Sequence, residues 1–163
     1  MKLIPLTQGK FAMVDDDDFD FLNQWKWNAG LKKSTNTYYA SRNQRTVKKN
    51  ARQETIRMHR VIMNAGKGQI VDHRDGNTLN NQKNNLRFCT NGQNSANRRA
   101  RENKLSRFLG VHYQKDNKNW LAQIRVNKKT THLGCFKNEI DAAIAYNNAA
   151  ILYHGEFARL NII

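Results

Sequence analysis

Between Val71 and Asn94 the sequence gathers side chains that could hydrolyse a phosphodiester. Asp72 and His73 are adjacent, Asp75-Gly76-Asn77 follows, and Asn80-Asn81, Asn85 and Asn94 add neutral amide oxygens. A neutral imidazole can deprotonate water near neutral pH, and a divalent cation can stabilise the leaving oxygen and the strained phosphate. Mg²⁺ keeps several waters and accepts few protein ligands, so one Asp and one Asn oxygen beside phosphate oxygens would suffice. Taken singly, a histidine more often packs and an aspartate more often sits in a turn. The combination at this spacing carries the chemistry.

That inventory needs elements to bring it together. Val71 ends a strand, so Asp72 and His73 point to opposite sides unless a turn redirects them, and Asp75-Gly76-Asn77 is turn chemistry. Leu86 and Phe88 make a second strand that returns Asn85 beside His73. Thr90 with Gln93 predicts a capping box for a helix with Asn94 in its first turn. The predicted order is strand, loop, strand, helix. Upstream, Leu3 to Thr7 and Phe11 to Val14 read as a hairpin. Asp15 to Asp18 read as a helix N-terminus, capping free N–H groups and complementing the dipole, rather than as a metal site. Trp25, Trp27, Tyr38 and Tyr39, with Ile56 and Met58, read as the core of a small sheet, and His59 to Met63 as a short helix stopped by Ala65-Gly66-Lys67-Gly68.

Charge points to the partner. The 163 residues carry 28 Lys and Arg against 13 Asp and Glu, a net of +15. Residues 1–30 are slightly acidic, so the surplus lies downstream, as befits a polyanion-binding chain. Asn occurs 22 times, eight of them between Asn77 and Asn97, where most would form turns. Cys89 and Cys135 lie far apart and make no zinc or disulfide framework. No apolar run is long enough for a membrane span, and Pro5 interrupts the start of any signal-peptide core.

Asp72-His73, Asp75-Gly76-Asn77, Asn80-Asn81, Asn85-Leu86-Arg87, Thr90 and Asn94 together resemble the HNH (His-Asn-His) endonucleases of the ββα-metal fold. Within them they resemble the phage and intron-associated homing endonucleases, whose third motif position is Asn, as Asn94 is here. The resemblance covers residues 55–99, and Met58-His59-Arg60-Val61 is similar to the family's upstream segment. It implies that His73 is the general base, that Asp72 and Asn94 are the metal ligands, and that Asn85 orients the histidine and locks the hairpin. His59 is expected to pack or contact phosphate rather than catalyse.

From Ser106 the pattern changes. Leu109, Val111 and Tyr113 alternate, as do Trp120, Ala122, Ile124 and Val126, and Thr130 to Phe136 follows a tight connection at Asn127-Lys128-Lys129. Asn138 caps a helix with Asp141 in its first turn, Ile140, Ala143, Ile144, Ala150 and Ile151 are expected to form its apolar face, and Gly155 ends it. Gly110-Val111, Trp120, Ala122, Ile124-Arg125, Leu133-Gly134, Phe136, Ala142-Ala143, Tyr146, Gly155 and Asn161 resemble the plant APETALA/ethylene-response DNA-binding domain over 108–161. That resemblance implies a three-stranded sheet laid in the major groove and backed by the helix. Trp120 is expected in the core, with Gln123 and Arg125 on the opposite face. Where the plant domains present arginines and tryptophans, His112, Tyr113, Gln114, Lys115 and His132 stand here.

The expectation is an α+β chain with three parts: a ββα-metal nuclease module with accessory strands over 1–97, a basic linker over 98–107, and a three-stranded sheet plus helix over 108–163. It would be a divalent-metal-dependent DNA endonuclease of homing type, using Mg²⁺ or Mn²⁺. DNA contacts would come from His59, Arg98, Arg99, Arg101, His112, Gln114, Lys115, Gln123, Arg125, Thr130 and His132. The expected partner is double-stranded DNA, with no membrane and no small-molecule cofactor. The expected setting is a monomer in the cytoplasm of a bacterial or phage-infected cell. The alternatives are a DNA-binding regulator with an inactive nuclease motif, which the full set of Asp72, His73, Asn85 and Asn94 disfavours, and a basic RNA-binding protein, which explains charge alone.

Overall fold

A computed structural model describes residues 1–44, 53–98 and 105–163. The chain forms two compact units, Met1–Cys89 and Thr90–Ile163, and its architecture is α+β with several small antiparallel sheets.

The first unit opens with the hairpin β1 (Lys2–Pro5) and β2 (Phe11–Val14), followed by helix α1 (Asp16–Leu22). A three-stranded sheet follows: β3 (Asn28–Lys32), β4 (Thr37–Gln44) and β5 (Glu54–Arg57), with β4 central. Helix α2 (Met58–Ile62) leads to the hairpin β6 (Ile70–His73) and β7 (Leu86–Cys89), whose loop ends in a 3-10 turn over Lys83–Asn85. Ile4, Ala12, Val14, Leu22, Trp27, Ala40 and Met58 form one buried core, flanked by Trp25, Tyr38 and Ile56. Trp27 donates its indole N–H to Leu22 O at 2.8 Å, satisfying the polar atom of a buried ring.

The acidic run behaves differently from expectation in one respect. Asp16, Asp17 and Asp18 do occupy the first turn of α1, but the Asp15 side chain at the N-cap makes no cap bond. Its carboxylate instead accepts Lys83 N–H at 2.8 Å and Gln82 Nε2 at 3.1 Å, and Asp18 pairs with Lys83 Nζ at 2.7 Å. One backbone and one side-chain donor at the far turn outcompete the local helix end.

The second unit contains helix α3 (Asn91–Ala96), strands β8 (Val111–Gln114), β9 (Asn119–Val126) and β10 (Lys129–Phe136), and helix α4 (Glu139–His154). The sheet order is β10-β9-β8, and α4 packs against it. The expected capping box of α3 forms from Thr90 and Gln93, and Asn138 caps α4 by accepting Asp141 N–H at 2.8 Å. Gly110 has φ +71°, and a Cβ there would lie 2.1 Å from the Tyr146 ring, so only glycine fits. Asn161 ties the chain end to the sheet, accepting Leu109 N–H at 2.7 Å and donating to Leu109 O at 3.2 Å.

The face of α4 differs from the expected one. Ala142, Ala143, Tyr146, Ala149 and Ala150 are buried, whereas Ile140, Ile144 and Ile151 are exposed. The alanines let the helix approach closely, and the sheet's own Val111, Ile124 and Leu133 fill the space between. Among the described residues no helix is long and apolar enough to cross a membrane.

Candidate active site

β6 and β7 pair antiparallel with Asp72 opposite Arg87 and His73 opposite Leu86. Directly opposed residues share a face, so Arg87 reaches Asp72, donating Nε at 3.2 Å and Nη2 at 3.0 Å to the same oxygen, Oδ2. Both side chains are buried. His73 points the other way and is 3% exposed.

The loop between these strands is held by amides. Asn85 Oδ1 accepts Asp75 N–H at 3.0 Å, and Asn85 Nδ2 donates to Asp75 Oδ1 at 3.0 Å and to Asn80 O at 2.8 Å. Asn80 Nδ2 reaches the other Asp75 oxygen at 2.9 Å, and Asp75 also accepts Asn77 N–H. β2 fastens the same loop from outside: Met13 N–H donates to Leu79 O at 2.9 Å and Asn81 N–H to Met13 O at 2.8 Å. The residues that precede the motif therefore shape the site.

Asn81, fully buried, turns its amide oxygen to His73 Nε2 at 3.4 Å while its Nδ2 donates to Leu79 O at 3.1 Å. The second bond fixes which end of the amide faces the ring, and an amide oxygen there favours the tautomer with its hydrogen on Nε2. Burial pushes the His73 imidazole below its usual value, against the upward pull of Asn81, Asp72 and Asp75. His59, on α2, is pushed down to about 3 by burial, by repulsion against a protonated His73, and by the positive charge of Arg57 and Arg60. For Asp75, burial raises the carboxyl, but hydrogen bonds from Asn80, Asn77 and Asn85 hold it below the ordinary range. The result is an uncharged imidazole set between an ionised turn and an ion-paired aspartate. Such a group can accept a proton at neutral pH.

Of the residues expected to act together, Asp72, His73 and Asn85 lie on one hairpin of the first unit, and Asn94 lies on α3 of the second. His59 is 4% exposed, with its ring 5.1 Å from that of His73, so the structure places it in the interior of its unit. Asn81 and Arg87 were not singled out for roles by the sequence reading. The signal for Arg87 was available in the strand register opposite Asp72, whereas nothing local distinguishes Asn81 from its asparagine neighbours.

In the second unit the register gathers the expected contact residues. Thr130 stands opposite Arg125, His132 opposite Gln123, His112 opposite Leu121 and Gln114 opposite Asn119. Alternation puts all six on the face away from Val111, Ala122 and Ile124, which pack toward α4. A bulge between His132 and Gly134 keeps Leu133 on the helix side. Lys115 follows in the turn after β8 and is exposed, as is Arg98. Arg99 and Arg101 lie outside the described residues, as does most of the expected basic linker.

Comparison with known proteins fits this arrangement. Residues 57–96 match the family model described as HNH endonuclease. A protein of Acanthamoeba polyphaga mimivirus, named as an uncharacterized HNH endonuclease, is 32% identical over 167 aligned positions, covering 99% of this chain and 80% of that protein. The chain belongs to the HNH endonuclease family. The HNH segment runs from the start of α2 through α3 and so includes His59, Asp72, His73, Asn81, Asn85 and Asn94. The similarity to the viral relative extends well beyond that segment, into the accessory strands and the C-terminal sheet.

Proposed function

We propose that this HNH protein is a divalent-metal-dependent endonuclease of homing type that cleaves phosphodiester bonds in duplex DNA. The observation that carries the reading is the buried, uncharged His73, held by Asn81 and placed next in sequence to Asp72. In this reading His73 Nδ1 takes the proton from the attacking water. Asn85 keeps the loop closed through Asp75, so that the base stays in place. Asn81 holds the tautomer.

The donors fit a hard cation. Among the described residues no group of three His, Cys, Asp or Glu gathers, and the proposed ligands are a carboxylate, Asp72, and an amide oxygen, Asn94. Hard oxygen donors in small number suit Mg²⁺ or Mn²⁺, which would stabilise the leaving oxygen and the phosphate charge. Arg87 shares Asp72 and so balances its charge when the ion is absent.

The second unit is proposed as the sequence-reading module, similar to the APETALA/ethylene-response domain. Its open face presents Gln123 and Arg125, side chains that read adenine and guanine in the major groove. The net charge of +15 supports a polyanionic partner. A monomer acting in the cytoplasm of a bacterial or phage-infected cell completes the reading.

The test is plasmid nicking with Mg²⁺ and with excess EDTA, beside metal-free binding to duplex DNA and to RNA. Nicking should need the metal, and His73→Ala should lower it by roughly 10²–10⁴-fold while duplex affinity stays within a few fold. Full cleavage in EDTA would remove the metal from the mechanism. Near-normal nicking by His73→Ala would remove the assigned base, and preference for RNA would favour the RNA-binding alternative.

A further inference from the structure

Two rings beside His73, one buried and one half-buried, take no part in the proposed chemistry. His59 on α2 stands edge-to-face against His73, centroids 5.1 Å apart at 75°. Tyr39, on β4, lies 6.2 Å from His73 at 65° and 5.7 Å from His59 at 54°. The three rings close a triangle inside one unit, and Arg57 lies over the outer side of Tyr39 at 5.2 Å.

A histidine ring turns easily about its Cβ–Cγ bond, because that torsion has broad minima rather than three sharp wells. The bond to Asn81 is long, 3.4 Å, and acts on the ring at Nε2. Two rings meeting the imidazole at steep angles, 75° and 65°, oppose rotation about the Cβ–Cγ bond, and edge-to-face contact is the arrangement that aromatic quadrupoles favour. Packing alone does not require an imidazole at position 59. The neighbouring Met58 shows that α2 supplies fully buried apolar volume where volume is what is needed.

We propose that His59 and Tyr39 are positioning residues that set the plane of the His73 ring, and that neither exchanges a proton with the substrate. This rests on the nuclease reading for its kinetic consequence, and on geometry alone for the ring restraint.

The experiment uses the full chain and four variants: His59→Ala, His59→Phe, Tyr39→Leu and Tyr39→Phe. Single-turnover nicking of plasmid DNA with Mg²⁺ is measured well below each melting midpoint, together with metal-free duplex affinity. Long-range proton–nitrogen spectra of the histidine rings are recorded in parallel. His59→Ala and Tyr39→Leu should slow nicking by about 10–100-fold, the scale of a misaimed group, with duplex affinity within about threefold of the parent. Their His73 ring signals should broaden or show both tautomers. His59→Phe and Tyr39→Phe, which keep a ring, should recover most of the rate and a single sharp Nε2–H signal.

Sharp, unchanged His73 signals in folded His59→Ala and Tyr39→Leu would overturn the proposal. So would a folded His59→Phe as slow as His59→Ala, because the imidazole itself would then be doing chemistry. If His59→Ala does not fold, Tyr39→Leu carries the same readouts from the other side of the ring. Should the unaltered chain fail to nick any duplex, the nuclease reading falls, while the ring spectra still decide whether the clamp exists.

Discussion

Two hairpins, one in each unit, solve the same connection in opposite ways. β9 and β10 are joined by Asn127 and Lys128 alone, both with positive φ, 49° and 66°, as the tight turn of a twisted hairpin requires. β6 and β7 are joined by the whole of residues 74–85, with β-like pairing replaced by side-chain bonds from Asn80, Asn85 and Asp75. The short turn holds itself through backbone geometry and leaves a clean face with alternating side chains. The long loop costs more closure entropy and is held by individual polar groups, and in return it can fold Asn81 back over His73. A rigid ladder suits a surface that reads a partner. A side-chain-stitched loop suits a site that must aim one atom.

If that contrast is right, the site hairpin should be sensitive to protonation and to single deletions, and the sheet hairpin should not. The largest effect expected is acid destabilisation of the first unit in the absence of metal. His59 is held near 3 when folded and returns to about 6.5 when unfolded, so the unfolded chain binds the proton first. The groups facing it are His73, Arg57, Arg60 and the Tyr39 ring, and His73, also depressed, adds in the same direction despite Asp72 and Asp75 beside it. Stability should be full above about pH 6.5 and fall steadily as pH drops toward 3. Melting midpoints measured in EDTA from pH 8 to 4 check this. A midpoint for this unit that does not move between pH 7 and 4 would contradict it, and His59→Phe should flatten the curve.

Next is Asn85→Ala. It removes three hydrogen bonds from the loop and leaves Asp75 N–H and Asn80 O without their partner. A loss of about 2–4 kcal/mol is expected in denaturant unfolding of the first unit, with nicking lost alongside. An Asn85→Ala chain with the parent's stability would mean that the loop is held by something other than its amides.

Arg125→Ala should leave both melts and the nicking chemistry unchanged, since the side chain is exposed on the open face. Its cost should appear as about 1–3 kcal/mol of lost discrimination between duplex sites, the scale of one bidentate guanine contact. Equal affinity of the parent for every duplex tested would break the sequence-reading half of the comparison.

The smallest expected effect is Lys128→Gly. A lysine at φ 66° is mildly strained and glycine is not, so the second unit should gain up to about 1 kcal/mol, with no change in nicking. A loss of stability would mean that the Lys128 side chain contributes more than its backbone strain costs.

Much of this architecture could be read from residue types. The strand–loop–strand–helix order, the Thr90–Gln93 capping box, the Asn138 cap and the turn at Asn127 are local, each decided by contacts within a few residues. The grouping of Gln123 with Arg125 follows from period-two alternation, and cross-strand register then added His112, Gln114, Thr130 and His132 to the same face. On α4 size rather than pattern decided: alanines took the sheet side, where close approach leaves no room for isoleucine.

By itself, then, the sequence determined which groups are present and which strands and helices carry them, because propensity, capping and turn chemistry act over short range. The tertiary structure alone decided which asparagine meets His73 and which rings enclose the imidazole. It also sent Asp15 from its own helix to the turn at Lys83 and turned Tyr39 from the core it was expected to fill toward His59 and His73. The physical reason is the same in each case. A buried polar group must find a partner, and only the folded chain determines which partners are within reach.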